Sequence, residues 1–205
     1  MKTILAYSTA FLLLIAFSGL KKENTADEWI SLFDGKSLKD WKINENPATF
    51  NVADGAIVVN GERAHMFYDG PVKEHNFKNF EFKIQIMTTP GSNSGIYIHT
   101  AFQPDGWPSK GYEIQVNNSH TDWRRTGSVY GVQDVKIAPA KDNEWFTELI
   151  IVNKNRVTVK VNGETINDYT AGEGSKLSSG TFALQGHDPK SKVFYKDIMV
   201  KPLPD

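Results

Sequence analysis

Residues 92–118 read SNSGIYIHTAFQPDGWPSKGYEIQVNN, which is the pattern of two β-strands joined by a loop rich in turn-forming residues. Side chains alternate between the two faces of a strand. Gly95–Thr100 and Gly111–Asn117 each place apolar residues on one face, which we expect to belong to a core. The opposite face carries groups that suit hydrogen bonding to a polyhydroxylated ligand: Tyr97, His99, Glu113, Gln115 and Asn117.

The rest of the chain has the same short, strand-like pattern from Glu28 onward. Segments rich in Val, Ile, Phe, Tyr and Thr recur between clusters of Gly, Asn, Asp and Pro, and no convincing helical stripe interrupts them. This pattern is typical of an all-β sandwich or barrel. The further predicted strands are Trp29–Phe33, Leu38–Ile43, Phe50–Val52, Ala56–Val59, Phe80–Met87, Gly127–Val132, Trp145–Val152, Arg156–Val161, Thr181–His187 and Phe194–Val200.

Length and composition limit the functional classes. The chain has 205 residues, enough for one domain with a substantial core, and it shows no internal repeat. Its formal net charge of -1 and scattered basic residues give no reason to expect a nucleic-acid partner. The absence of cysteine excludes disulfides, thiolate metal sites and a thiol nucleophile.

The first 22 residues have the pattern of a secretory signal peptide. Lys2 supplies a positive charge, Ile4–Phe17 is apolar, and residues 16–18, Ala-Phe-Ser, offer a small-x-small cleavage site. The apolar run is shorter than the roughly 20 residues that span a bilayer, so we expect no stable membrane span after removal, although an uncleaved anchor is the alternative. We therefore expect a signal peptide at 1–22, a single domain at 23–205, and export to a bacterial periplasm or cell exterior.

Several segments of the chain, taken in order, form one set of motifs. They are Leu32–Leu38 (LFDGKSL) with Trp41, Ser92–Ile96 (SNSGI), Gly111–Gln115 (GYEIQ), Thr126–Tyr130 (TGSVY), Glu144-Trp145, Asn162-Gly163 and Leu184–His187 (LQGH). Together they resemble the 3-keto-disaccharide hydrolase domain family, and the resemblance covers roughly residues 28–203.

The resemblance implies a fold, an activity and a partner. The implied fold is a concanavalin A-like jelly-roll sandwich of two antiparallel sheets. The implied activity is cleavage of the glycosidic bond of a 3-keto-glycoside or 3-keto-disaccharide, which a separate sugar 3-oxidoreductase first produces. The expected substrate is accordingly a carbohydrate.

Cleavage of such a sugar needs a base rather than two flanking carboxylates. A ketone acidifies the hydrogen on the adjacent carbon, so a base can remove it and the aglycone can leave by elimination, after which water adds. We interpret Glu113 as the base, with a carboxylate that only binds hydroxyls as the alternative. Gln115 stands where a glucanase-like strand would have a second acid, which favours elimination over direct displacement. His99 and His187 are the candidate proton carriers, because imidazole changes charge near neutral pH.

Other polar and aromatic residues are candidates for substrate binding. Loop arginines could bind hydroxyls or polarise the keto oxygen, and aromatic rings could pack on sugar rings, although both types are more often solvated or in the core. By contrast, His65, His75 and His120 lie in turn-rich regions and are interpreted as surface residues. The substrate-binding candidates are Gln115, Asn117, Tyr97, Arg124, Arg125, Trp107, Trp123, Tyr130 and Gln185.

No cofactor is expected. His99, Glu113 and His187 form an oxygen and nitrogen set that would suit zinc or another divalent ion. However, no HExxH-like or calcium-loop spacing supports a metal site.

Two other functional classes stay open on the sequence alone. A jelly roll with the same groove could be a carbohydrate-binding module without turnover, since fold does not fix function. A structural or interaction domain of the cell envelope is the third interpretation, and it would require a flat apolar surface in place of a polar groove.

Overall fold

The structure, a computed structural model, describes residues 28–205, so the predicted signal peptide at 1–22 lies outside the described residues. The described chain forms thirteen strands and two short 3-10 segments, Pro47–Thr49 and Val72–His75. The strands are β1 (Ile30–Ser31), β2 (Trp41–Ile43), β3 (Phe50–Ala53), β4 (Ala56–Val59), β5 (Ala64–Tyr68), β6 (Phe80–Thr88), β7 (Ser94–Thr100), β8 (Tyr112–Val116), β9 (Phe146–Asn153), β10 (Arg156–Val161), β11 (Glu164–Thr170), β12 (Thr181–Gly186) and β13 (Val193–Pro202).

The strands form two antiparallel sheets that pack face to face. The back sheet has the order β11-β10-β9-β6-β13-β4-β3, and β1 also pairs with β13. The front sheet has the order β2-β5-β12-β7-β8. The predicted all-β jelly-roll sandwich of two antiparallel sheets is therefore confirmed.

Alternation along the strands builds the core between the sheets. In β6, Phe80, Phe82, Ile84 and Ile86 are fully buried, as their period-two spacing predicts. Phe182 of the front sheet contacts two of them, with ring centroids 4.4 Å from Phe82 and 4.9 Å from Phe80. These rings join the two sheets and make the sandwich one packed unit.

The outer face of the front sheet carries three residues of the predicted polar set, Tyr97, Glu113 and Gln115. The register of β7 with β8 places Tyr97 opposite Glu113 and Gly95 opposite Gln115. On the other side of β7, strand β12 brings Gln185, which pairs in turn with His65 of β5. Four neighbouring strands therefore present their outward side chains to one surface.

One strand prediction was wrong, and two strands were missed. Ala64–Tyr68 and Glu164–Thr170 are strands that the sequence analysis did not identify, and every residue of Ala64–Tyr68 is buried. A strand buried on both faces shows no alternation, which explains why it was missed. Residues 127–132 form turns with isolated bridges at Val129 rather than a strand.

Among residues 28–205, no helix has the length and apolar character needed to cross a membrane.

Candidate active site

A cavity of about 260 Å³ opens on the outer face of the front sheet. The residues that line it come from β7, β8 and β12, from the loops that follow them, and from the residue just before β7. Most were predicted as site residues, and Asn93 was not. The lining residues are Asn93, Tyr97, Trp107, Glu113, Gln115, Tyr130, Gln185 and His187.

Glu113 supplies the carboxylate of the cavity lining. The phenol of Tyr97 donates to Glu113 Oε2 at 3.0 Å, and Gln185 Nε2 donates to Glu113 Oε1 at 2.7 Å. Burial raises the pKa of Glu113 to about 7, although both hydrogen bonds favour the charged form, and the nearby carboxylate of Asp122 raises it further. A carboxyl group that titrates near neutral pH is suited to accept a proton from a substrate.

Tyr97 stays protonated beside this carboxyl group. Burial raises the pKa of its phenol well above the usual range, and the charge of Glu113 raises it further. Gln185 Nε2 also lies 3.3 Å from the phenol oxygen. Tyr97, Gln185 and Glu113 therefore form one hydrogen-bonded group that fixes the position of the carboxylate.

Gly95 makes room for Glu113. A Cβ atom at this position would lie 2.2 Å from Glu113 Oε1, which is closer than any real contact. The neighbouring carboxamide of Gln115 is buried, and its Nε2 donates to Asn93 Oδ1 at 3.0 Å. The absent side chain in β7 and the amide in β8 together shape the floor of the cavity.

His187 lies at the side of the cavity, next to Trp107. Its Nδ1 is 2.7 Å from Asp188 Oδ2, and its ring centroid lies 5.5 Å from that of Trp107 and 5.7 Å from that of His120. The hydrogen bond to Asp188 orients the ring so that Nε2 is the free nitrogen. This imidazole can therefore exchange a proton with a ligand in the cavity.

The structure does not bring His99 into the cavity. His99 has a left-handed backbone, with φ of +53°, and the register of β7 with β12 shifts at this point. The ring turns away from the outer face. In this position its Nε2 lies 2.9 Å from the carbonyl oxygen of Lys78, and its Nδ1 accepts from the backbone nitrogen of Ser178 at 3.1 Å. The expected placement was wrong because one left-handed residue breaks the period of two.

This position also separates the three groups considered for a metal ion. His99 lies outside the cavity that Glu113 and His187 line. Within residues 28–205, no group of three or more His, Cys, Asp or Glu side chains is placed to hold a metal ion.

Asn117 and Arg125 hold the loop after β8 rather than lining the cavity. Asn117 Nδ2 donates to the carbonyl oxygens of Asp122 and Arg124, at 2.9 and 2.7 Å. Arg125 Nη1 donates to the carbonyl oxygens of His120 and Asp122, at 2.9 and 2.5 Å. Their polar groups are used within the protein, so the expected role in contacting substrate does not fit their positions.

Arg124 packs against Tyr130, which lines the cavity. Its Nε lies 3.2 Å from Asp134 Oδ2, and its guanidinium carbon lies 4.6 Å from the centre of the Tyr130 ring and 4.9 Å from that of Trp123. Of these two rings, only Tyr130 is among the lining residues. Arg124 and Trp123 therefore lie one layer outside the cavity and fix Tyr130 in place.

His65 was interpreted as a surface residue, and this was wrong. It lies in β5 with no exposed surface, and its ring meets those of Tyr97 and Trp107 edge to face at 5.3 and 5.4 Å. A signal was present in the sequence, since the turn pairs Asn60-Gly61 and Asp69-Gly70 bracket the short, mainly apolar run that contains it. Of the other two histidines interpreted as surface residues, His75 is exposed.

Comparison with known proteins identifies a family match and several similar structures. The 3-keto-alpha-glucoside-1,2-lyase-like domain matches residues 28–201. A protein named 3-keto-disaccharide hydrolase, from Bacteroides thetaiotaomicron, is 27% identical over an alignment of 171 positions, and the match covers 70% of this chain. The chain spans 59% of the length of that relative.

Two solved structures share the fold at low sequence identity. A candidate glycosyl hydrolase from Parabacteroides distasonis ATCC 8503 has a TM-score of 0.73 and 23% identity, covering 90% of this chain and 98% of its own. The carbohydrate-binding module CBM66 from Bacillus subtilis has a TM-score of 0.59 and 11% identity, covering 79% of this chain and 95% of its own. At these identities the likeness establishes the sandwich fold alone.

Proposed function

Because this chain belongs to the 3-keto-alpha-glucoside-1,2-lyase-like domain family, we propose that it cleaves the glycosidic bond of 3-keto-glycosides, with Glu113 as the base. The observation that carries the proposal is the placement of Glu113 in a polar cavity, with a pKa raised to about 7 and its carboxylate held by Tyr97 and Gln185. A base of this strength is half ionised at neutral pH, where proton abstraction is most effective.

The proposed reaction begins at the carbon between the ketone and the anomeric centre. Glu113 removes the proton from C2, and the electron pair of the C2–H bond forms an enolate with its charge on the C3 oxygen. Collapse of the enolate forms the C1=C2 double bond and breaks the bond from C1 to the leaving oxygen. The alkoxide that leaves takes a proton from the imidazolium of His187, which lies beside the cavity.

Water completes a net hydrolysis. It adds to C1 and gives a proton to His187, while C2 takes back its proton from Glu113. Both side chains return to their starting states, and the products are a 3-keto-sugar and the free aglycone. Without the addition of water, the unsaturated sugar is the product and the protein acts as a lyase.

The cavity lining favours elimination over direct displacement. An ordinary glycosidase uses two carboxyl groups on either side of the scissile bond. Here the lining includes one carboxylate, Glu113, and Gln115 stands two residues along the same strand. The amides and aromatic rings of the lining are suited to hold sugar hydroxyls and ring faces rather than to attack the anomeric carbon.

The substrate, partner and location follow from the same proposal. The name of the Bacteroides thetaiotaomicron relative supports a 3-keto-disaccharide as substrate. A sugar 3-oxidoreductase must supply it, because the ketone is what makes the C2 hydrogen acidic. The reaction as written uses no metal ion or other cofactor, and the protein acts after export from the cell.

The proposal is tested with a chromogenic 3-keto-glucoside and the purified protein. Release of the aglycone is expected from the wild type, with at least about a 10²-fold lower kcat in Glu113→Gln, the range typical of removing a general base. The matched control is the same glucoside with an unoxidised 3-hydroxyl, which has no acidic C2 hydrogen and is expected to stay intact. Cleavage of both compounds at equal rates would contradict the elimination route.

A carbohydrate-binding module without turnover is the second candidate. The exposed rings at the cavity favour it, since Trp107 and Tyr130 leave 45% and 38% of their surface in solvent. Calorimetry distinguishes the two functions. Tight binding of an unoxidised glycan, together with an intact 3-keto form after prolonged incubation, would support the module and exclude the enzyme.

A further inference from the structure

His65 is a buried imidazole whose two ring nitrogens have no hydrogen-bond partner. The residue has no exposed surface. Buried polar side chains in folded proteins are almost always paired, so an unpaired one requires an explanation. A group that must meet a ligand is one such explanation, because its partner arrives only when the ligand binds.

The position of His65 points to the cavity. It is the cross-strand neighbour of Gln185, whose Nε2 holds Glu113, while Gln185 Oε1 is also buried without a partner. An unpaired acceptor and an unpaired imidazole thus lie side by side on the outer face of the front sheet. A ligand oxygen that reaches them can accept a hydrogen bond from His65, and a ligand hydroxyl can donate to Gln185 Oε1.

Two lining side chains, Tyr97 and Trp107, lie between His65 and the open cavity. The ring of His65 lies edge to face against both of them, and Trp107 is 45% exposed. The loop that carries Trp107 is itself well held, because Gln103 Nε2 donates to the Trp107 carbonyl oxygen at 2.9 Å and Glu45 accepts from the Gly106 backbone nitrogen. Of the two rings that cover His65, Trp107 is the more exposed and makes no side-chain hydrogen bond within residues 28–205, whereas Tyr97 is buried and bonded to Glu113, so the indole is the ring that a ligand can displace.

Burial keeps His65 neutral. It is the main reason that the pKa of His65 is lowered to about 4, the charge of Glu45 opposes it, and Arg63 and His187 act in the same direction as burial. At neutral pH the ring therefore carries one N–H donor and one free nitrogen. A neutral imidazole donor of this kind can polarise a carbonyl group without giving up its proton.

His65 and Glu113 lie on the same face of the front sheet, with the strands that carry Gln185 and Tyr97 between them. Strands β5, β12, β7 and β8 follow one another, so three steps of about 4.8 Å separate the backbones that carry the two residues. Both side chains project from the same face, and Glu113 leans toward Gln185, which shortens the gap.

We propose that His65 donates a hydrogen bond to the C3 oxygen of the 3-keto-sugar while Glu113 removes the C2 proton, and that the Trp107 indole moves aside to admit the sugar. No bond to His65 forms or breaks, since its N–H stabilises the negative charge of the enolate oxygen. This inference rests on the proposed function and names the group that such an elimination requires in addition to a base.

The decisive variant is His65→Phe, which keeps an aromatic ring in the pocket and removes the N–H group. We expect kcat on a 3-keto-glucoside to fall about 10²-fold or more, the loss typical of removing one oxyanion donor, with KM changed only a few-fold. Thermal stability should stay the same or rise, because an unpaired polar group is replaced by an apolar one. His65→Gln, which restores an N–H donor, should recover part of kcat.

The same substitution at a second buried imidazole is the matched control. His99 lies outside the cavity and is hydrogen-bonded to Lys78 and Ser178. His99→Phe is expected to lower the melting temperature, because it leaves these backbone groups without a hydrogen-bond partner. It is expected to leave kcat of the folded enzyme close to that of the wild type. His65→Phe should therefore lower kcat without lowering the melting temperature, and His99→Phe should lower the melting temperature without lowering kcat.

A spectroscopic measurement gives a readout that does not depend on turnover. In Glu113→Gln protein labelled with ¹⁵N at histidine, a bound 3-keto-glucoside should shift the ring nitrogens of His65, and the His65→Phe background identifies those signals. Unchanged His65 signals at saturating ligand would overturn the proposal.

The possible failures can be told apart. Full kcat/KM in His65→Phe, with active wild type, would overturn the role of His65 and leave the proposed function standing. A wild type that leaves every 3-keto-glucoside intact would contradict the proposed function, and the role of His65 in that reaction with it.

Discussion

At the scale of single residues, the function proposed here depends on the protonation of one carboxyl group. Burial holds the pKa of Glu113 near 7, so the group is mainly protonated below that pH and mainly ionised above it. A protonated carboxyl group cannot accept the C2 proton. The activity should therefore follow the fraction of Glu113 that is ionised.

The first prediction is a pH profile. We expect kcat/KM for a 3-keto-glucoside to rise with pH, with a midpoint near 7, because kcat/KM reports the free enzyme. Initial rates at subsaturating substrate between pH 5 and 9 measure it. A midpoint near 4.5, the ordinary range of a glutamate, would show that the base is not the buried Glu113.

The second prediction concerns the phenol that holds the base. Tyr97 donates to Glu113 Oε2, and this hydrogen bond lowers the pKa of the carboxyl group against the effect of burial. In Tyr97→Phe the midpoint of the kcat/KM profile should therefore move to higher pH, with lower activity at pH 7 and partial recovery at pH 9. A midpoint that moves to lower pH would contradict the effect of this hydrogen bond on the pKa of Glu113.

At the scale of strands, one missing side chain in β7 makes room for Glu113, the proposed base, in β8. The Cβ of an alanine at position 95 would meet Oε1, Cγ and Cδ of Glu113, at 2.2 to 2.9 Å. The third prediction is that Gly95→Ala displaces Glu113 and lowers kcat at least about 10-fold, since small misplacements of a catalytic group are costly. Gly91→Ala is a control for the loss of a glycine, because nothing lies within 4 Å of its Cβ position, although its φ of +75° costs some stability.

Strand β9 carries a carboxyl group on the face that points into the core. Glu148 is fully buried, its two carboxyl oxygens have no partner, and burial raises its pKa well above the usual range. The fourth prediction is that Glu148→Met raises the free energy of unfolding by about 1–3 kcal/mol, the usual cost of an unpaired buried polar group. Urea denaturation at pH 7 measures it, and a less stable variant would show that Glu148 has a structural partner.

At the scale of the whole molecule, two buried carboxyl groups affect stability in the same direction. Glu113 and Glu148 have folded-state pKa values above their values in the unfolded chain. Between those values the folded state binds more protons than the unfolded state, so stability falls as the pH rises. The contribution of these groups is present below about pH 4.5 and decreases through pH 7 and above.

The fifth prediction follows from this linkage. The decrease in the free energy of unfolding between pH 5 and pH 8 should be smaller in the double variant Glu113→Gln, Glu148→Met than in the wild type. Denaturation curves at matched ionic strength measure the two slopes. Identical slopes would mean that neither group changes its proton affinity on folding.

The period of two in the sequence determined the class of the fold and most of the cavity. Strand pairing needs only local alternation to separate a core face from a polar face, so Glu113, Gln115 and Tyr97 could be placed together from residues 95–117 alone. Gln185 and His187 were found in the same way on Thr181–His187. Their roles in chemistry stay predictions.

Tertiary structure decided which polar side chains reach the cavity, because local alternation does not contain that information. His99 lies outside the cavity because one left-handed residue shifts the register of β7 with β12. His65 lies behind two of the lining rings because β5 pairs with β12, a strand distant in sequence. The side chains of Asn117 and Arg125 donate their hydrogen bonds to carbonyl groups of their own loop. A sequence shows which groups are available, and only the folded chain shows which partners already satisfy them, because those partners arrive through long-range contacts.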